Sequence, residues 1–278
     1  MKLHCRFILA GITFLLLGFS TVNHAFGAPA AKLWTYWQTH DPESVDVVDH
    51  EDWDIILNRY VDARHPSGIN RFHYGNVMEQ NKFDLKNYLK KMAEIQVTRL
   101  NRTEQKAYWI NLYNGLTVHI ILQYYPVKSI KDIDISPGIF NDGPWDAKLL
   151  KIEGLDISLN DIEHRILRPI WRDNRVHYAV NCASLGCPNL QPQAYTADNL
   201  EEFLEKGARQ FINHPRGVRF VRDKLQVSSI YFWFQEDFGD SKEGVIEHLE
   251  KYLADSKIQK LKTLQKGMKH QYDWSLNE

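Results

Sequence analysis

AYWINLYNGLTVHIILQYY, residues 107–125, runs for nineteen residues without a proline or a formally charged side chain. At 100° per residue, Trp109, Leu112, Tyr113, Leu116 and Ile120 fall on one broad apolar face. Asn111, Asn114 and Gly115 gather on the opposite side, with His119 at the margin. A solvent-facing side normally carries Lys and Glu, whereas this one carries Asn, Gly, Thr and Val. A helix that starts near Thr103 as N-cap and stops before Pro126 is therefore expected to be covered on both sides. Its asparagines then need hydrogen-bond partners, because an unpaired buried amide costs about 1–3 kcal/mol.

Outward from that helix, apolar residues at helical spacing predict further helices over residues 53–61, 85–95 and 200–212. Residues 156–168 predict a short helix, opened by a Ser158/Asp161 capping box and closed by Pro169. RVHYAVNC, residues 175–182, reads as a strand with Val176, Tyr178, Val180 and Cys182 on one side. The turn-like ASLGCPNL follows it. Residues 218–221 and 225–227 predict a hairpin, and 245–261 a charged helix. The expected fold class is α+β: a mostly helical single domain around a small antiparallel sheet.

Composition agrees with a folded chain. Of 278 residues, 44% are hydrophobic, and Lys+Arg 34 against Asp+Glu 35 leaves a formal charge of −1. Disorder and collagen are excluded, and a near-neutral balance gives no reason to expect nucleic acid. Lys2 and Arg6 precede the apolar run Phe7–Phe19, whose 13 residues are too few to span a bilayer, and small residues at Ala25 and Gly27 follow. Residues 1–27 thus read as a signal peptide cleaved after Gly27, which makes the protein exported, periplasmic or secreted. No integral membrane segment is expected after cleavage. Residues 28–48 form a lead-in, 49–240 the main domain, and 241–278 a helical extension packed on or flanking it.

Cys5 leaves with the signal, so Cys182 and Cys187 remain as an even pair in an oxidising compartment. A structural disulfide, a reactive or redox pair, and a metal site are the three readings of that pair. As a nucleophile, Cys182 needs a base and a group that orients the base. His177 is the nearest base in sequence, about 16 Å away were the strand extended throughout, with His119 as the alternative and Glu163 as the orienting group. Metal binding has donors in His177, the cysteines, His119, Glu163 and His164, but neither a CxxC pair nor an HExxH helix, so no metal or cofactor is assigned. Trp109, Asn111, Asn114, His119, Arg168 and Ser184 are the candidate pocket residues. The favoured reading of Asn111 and Asn114 is nevertheless buried hydrogen bonds that pin the helix, and that of Arg168 and Arg172 is surface salt bridges rather than carboxylate binding. Trp145 and residues 231–234 have the character of a sugar or peptide groove, or of ordinary core packing.

Taken in order, AYWINLYNGLTVHIIL, ISLNDIEHRILRP, RVHYAVNCASLGCPNL and IYFWFQEDFG resemble the DUF547 family, over a span from about Asp49 to Asp240. That family is a domain of unknown function. It includes exported bacterial proteins and plant proteins in which the domain follows a leucine-zipper segment. The resemblance brings forward Trp109, Asn111, Tyr113 and Asn114, then Glu163, His164, Leu167 and Arg168. To these it adds His177, Cys182, Ser184, Cys187 and Pro188. It implies no reaction, and the family's presence in reducing plant compartments weighs against cysteines kept only for a disulfide. Two functions follow as expectations. One is a thiol-dependent hydrolase or acyl/peptidyl transferase acting on an envelope substrate. The other is a non-catalytic module that binds an envelope ligand or protein, with Cys182–Cys187 as a clip.

Overall fold

The computed structural model describes residues 29–138, 143–222, 224–263 and 267–278. The signal-peptide assignment lies outside the described residues. Helices α1 (Glu51–Tyr60), α2 (Glu79–Glu94) and α3 (Arg102–Tyr124) build the first layer, with β1 (Val61–Asp62) and β2 (Arg71–Phe72) as a small antiparallel pair after α1. The long helix is covered on both sides as expected: every residue from Glu104 to Val118 is buried. Its cap is Asn101 rather than Thr103, and the Asn101 side-chain oxygen accepts hydrogen bonds from the backbone N–H groups of Thr103 and Glu104.

The asparagines of α3 act as cross-braces. Asn111 donates to the carbonyl of Tyr195 at 2.6 Å and accepts from the Tyr195 N–H at 2.9 Å. Asn114 donates to the carbonyl of Ala179 and accepts from the N–H of Asn181. Each amide thus satisfies two backbone groups of a segment with no ladder of its own.

After α3, β3 (Leu150–Ile152) and β4 (Leu155–Ile157) form a second antiparallel hairpin. The Ser158/Asp161 capping box forms: Ser158 N–H donates to the Asp161 carboxylate and Asp161 N–H to the Ser158 hydroxyl. The helix it opens is π-helical over Asp161–Leu167 and continues as α4 (Arg168–Trp171). Pro169 therefore does not close it, and the His164 and Arg165 carbonyls that its missing N–H would face accept instead from the N–H groups of Lys32 and Trp34. Arg172, at φ +49°, ends the helix instead.

The strand expected over Arg175–Cys182 is absent. Asn174–Tyr178 is a 3₁₀ helix, with the Asp173 carboxylate accepting from Arg175 N–H and Ala179 N–H turning back to Val176 C=O. The carboxylate is also gripped by Lys106 and the Arg175 side chain, so Asp173 is held well below the usual carboxylate range although burial opposes this. Val176 through Val180 are all buried, so the period-two alternation marks no solvent face.

Helix α5 (Leu200–Asn213) leads into β5 (Val218–Val221) and β6 (Lys224–Ser228), the hairpin predicted from sequence. Beyond α6 (Ile230–Trp233), the single charged helix expected over 245–261 is two, α7 (Lys242–Glu250) and α8 (Asp255–Thr263). Asn213 holds the break open by donating to Tyr252 C=O and accepting from Ala254 N–H. β7 (Met268–Gln271) adds to β6 in parallel. Among the described residues the β content is therefore three small sheets rather than one, two of them antiparallel and the third mixed, within a mostly helical α+β fold.

From β7 the tail returns across the first layer. Gly186 N–H donates to Asp273 C=O, Asn277 N–H to Ala183 C=O, and Phe72 N–H to Asn277 C=O. A Cβ on Gly186 would lie 2.8–2.9 Å from Tyr272 and the Asp273 backbone, so the close crossing requires glycine. Two apolar clusters result, one around α1–α3 and one around α5, β5, β6 and α7. The cysteine loop and the tail lie along their seam. No helix among the described residues is long and apolar enough to cross a membrane.

Candidate functional site

A cleft of about 470 Å³ opens at that seam. Its polar lining includes Glu163, His164, His177, Cys182, Cys187 and Tyr272, and its aromatic lining includes Tyr113, Trp145, Trp233, Phe234 and Trp274. The π-helical turn explains why neighbouring residues Glu163 and His164 both face inward. Arg168 N–H bonds Glu163 C=O five residues back, so the wider turn brings Glu163, His164 and Arg168 to one side. All three side chains are buried.

Arg168 is thus a buried anchor rather than a surface salt bridge. Its guanidinium donates to Asp237 at 2.5 Å, to Glu236, and to the Pro29 carbonyl at 2.8 Å. The Asp237 carboxylate faces His177 Nε2 at 2.7 Å. Burial would raise Asp237, but the bonds from His177 and Arg168 outweigh it and hold the carboxyl below its usual range. An ionised Asp237 fixes Nε2 as the protonated nitrogen of the ring. Nδ1 is left toward Glu163, whose carboxylate oxygen lies 3.8 Å away. The ring is further fixed by stacking on Phe234, with centroids 4.3 Å apart. Burial keeps His164 low, and the Arg168 charge adds to this. Tyr113 is held far above its usual pKa by burial first and by the Glu163 carboxylate second, so it presents a permanent O–H to that carboxylate.

In the same cleft, Cys182 and Cys187 bring their sulfurs to disulfide distance across Cα atoms 6.3 Å apart. Cys182 is half-buried, whereas Cys187 is buried. The Tyr272 hydroxyl lies 3.1 Å from each sulfur and accepts from Ser184 Oγ at 3.1 Å. The backbone of this loop is stretched into the left-handed region at Ala183, φ +58°, and held there by Asn181 and Asn277.

Of the sequence-derived candidates, His177, Cys182, Cys187 and Glu163 line the cleft, and Ser184 touches it through Tyr272. Trp109, Asn111, Asn114 and His119 line no part of it. Trp109 packs edge-on against Trp37 at 4.9 Å, and the two asparagines spend their amides on Tyr195, Ala179 and Asn181. His119 faces the Lys86 side of α2, where burial first and that charge second lower its pKa. It is not the partner of Cys182. Orientation of His177 falls to Asp237, with Glu163 on the other side of the ring. Among the described residues no group of three or more His, Cys, Asp or Glu side chains is placed to hold a metal ion.

The sequence reading missed Asp237, Tyr272 and Trp274 as members of the site, whereas the resemblance had brought forward Tyr113 and His164, and Trp233 lay in the aromatic run 231–234. Glu236-Asp237, an acidic pair inside an aromatic run, was a signal for Asp237. Tyr272 and Trp274 sit in a polar tail that carries no motif.

An α+β chain with an acid–base cluster and a sulfur pair facing one aromatic cleft is the class of protein that fold and site define. Residues 97–212 match the family described as "Protein of unknown function, DUF547". The match holds three of the four quoted motifs, and IYFWFQEDFG lies beyond its end. No curated protein and no solved structure matched the chain.

Proposed function

We propose that the cleft is the active site of an exported thiol-dependent hydrolase or acyl/peptidyl transferase acting on an envelope substrate. One observation carries this reading: His177, oriented through Nε2 by Asp237, lines the same cleft as the half-buried sulfur of Cys182. A nucleophile, a base and a group that orients the base are the parts an acyl transfer needs. With the cysteine pair open, the Cys182 thiol passes its proton to His177 Nδ1 and its sulfur attacks a carbonyl carbon. His177 then returns the proton to the leaving group, and water or an acceptor amine releases the acyl chain. Glu163 and Asp237 favour the imidazolium formed in between.

The test uses reduced protein and an aryl ester. Reduced wild type and Cys187→Ser are expected to release the phenol and to carry the acyl group on Cys182. Cys182→Ala should show neither, and His177→Ala should lose about 10²–10⁴-fold. Turnover retained in Cys182→Ala overturns the reading. The second reading, a binding module, is supported by the bonded cysteines and by Trp145, Trp233 and Trp274 along the cleft. It predicts ligand binding that is indifferent to reductant.

A further inference from the structure

We infer that Cys182–Cys187 is a thiol–disulfide exchange site in its own right, attacked by an external thiolate at Cys182 and releasing Cys187 as the leaving thiolate. The two sulfurs are not equivalent. Both cysteines line the cleft, but Cys182 is half-buried while Cys187 is 3% exposed, so Cys182 is the easier of the two to approach. Exchange goes fastest when the attacked sulfur is accessible and the leaving thiolate is stabilised.

The leaving sulfur has its donors already in place. Cys182 N–H points at Cys187 Sγ from 2.9 Å, and the Tyr272 oxygen lies 3.1 Å from the same atom. Tyr272 has one proton, and its oxygen accepts from Ser184, so the proton is directed to sulfur. Burial holds that phenol well above its usual pKa, so it remains a donor. Behind the loop, the half-buried Arg216 guanidinium donates to Leu185 C=O at 3.2 Å and to the Asn189 side chain. A cation and two donors oppose the cost of burying a thiolate, while the Glu163 and Asp273 carboxylates near Tyr272 act the other way. Tyr272 is itself fixed by ring contacts with Trp233 and Trp274.

The chemistry balances with a thiol as co-reactant. The first thiolate forms an S–S bond to Cys182 and breaks Cys182–Cys187, placing the electron pair on Cys187. A second thiolate attacks the sulfur of the first, closes an external disulfide and frees the Cys182 thiolate. Two thiols are oxidised and the pair gains two electrons. The inference does not depend on acyl transfer, because no carbonyl takes part.

The experiment is timed treatment of the oxidised protein with reduced glutathione, acid quench and peptide mass mapping, alongside its rate of reduction by dithiothreitol. The glutathione adduct is expected on Cys182, and reduction is expected in the native state. Tyr272→Phe keeps the ring and should slow reduction about tenfold, the effect of one hydrogen bond to a charged acceptor. Thermal melts show that the variant folds. An adduct on Cys187, reduction only on unfolding, or a folded Tyr272→Phe protein reduced at the wild-type rate overturns the inference. The Cys187→Ser arm of the ester assay has no disulfide to reduce, so the two readings fail separately.

Discussion

Replacing Asn114 by alanine removes one side chain and strands two backbone groups. Asn114 is 2% exposed, donates to Ala179 C=O at 2.9 Å and accepts from Asn181 N–H at 2.8 Å. Both partners belong to the segment that leads from the 3₁₀ turn to Cys182, where no strand offers replacements. Each orphaned buried group costs roughly 1–3 kcal/mol, so the pair sets a loss of about 3 kcal/mol once some rehydration is allowed. For a domain of this size that is a fall of about 6–12 °C in Tm. Urea unfolding followed by tryptophan fluorescence should show the midpoint drop with the slope unchanged. Asn114→Asp discriminates further: it retains an acceptor for Asn181 but sets a carboxylate against Ala179 C=O, and should be no better than alanine. A loss below about 1 kcal/mol for Asn114→Ala, with an unchanged slope, would refute the cross-brace account.

The buried histidines predict an acid limb of stability. Burial first, with the Lys251 charge adding to it, lowers His248 to about 4, and burial lowers His50 to about 4 against the pull of Asp49. In the unfolded chain both titrate near 6.5, so the unfolded state binds more protons between those values. Their contribution is complete above about pH 6.5 and is lost as pH falls toward about 4. Tm should decline over that window, and the His50→Gln/His248→Gln double variant should flatten the decline. An identical slope sinks the assignment. Arg168→Met leaves the Asp237 and Glu236 carboxylates without their buried cation and should cost about 3–5 kcal/mol in chemical unfolding, with Asp237→Asn recovering part of it. A cost under about 1 kcal/mol would mean that water replaces the guanidinium. Gly186→Ala forces the tail off the cysteine loop, so amides of residues 268–278 should exchange with deuterium faster. Unchanged protection there counts against the close crossing.

Helices were legible wherever one face of the pattern was continuous. Leu85, Tyr88, Leu89 and Met92 marked α2, and the Asn-and-Gly face of residues 107–125 correctly implied a helix without a wet side. Alternation misled at RVHYAVNC because the segment is buried all round, and period two then carries no information about faces. Asp173-Asn174 just before it was the overlooked turn signal. The π-helical turn was not readable from local propensity. Its consequence, Glu163, His164 and Arg168 on one side, depends on Asp237 and Glu236 arriving from a segment about seventy residues away. Of the site itself, the chemistry-bearing His177 and Cys182 were visible as residue types. Their supports, Asp237 and Tyr272, were not, because orientation is a property of tertiary contacts.

The returning tail also orders events in time. Tyr74 and Asn277 are hydrogen-bonded partners 203 positions apart, as are Gly75 and Glu278. Closing so wide a loop costs entropy that only the finished contacts repay, which places it late on any folding route. A growing chain can pack α1 to α3 long before residue 272 exists, yet it then has neither the hydroxyl over the sulfur pair nor the Trp274 wall. Whatever chemistry the cleft performs therefore begins only after residue 277 has reached its place, and a partly made chain carries its sulfur pair uncovered.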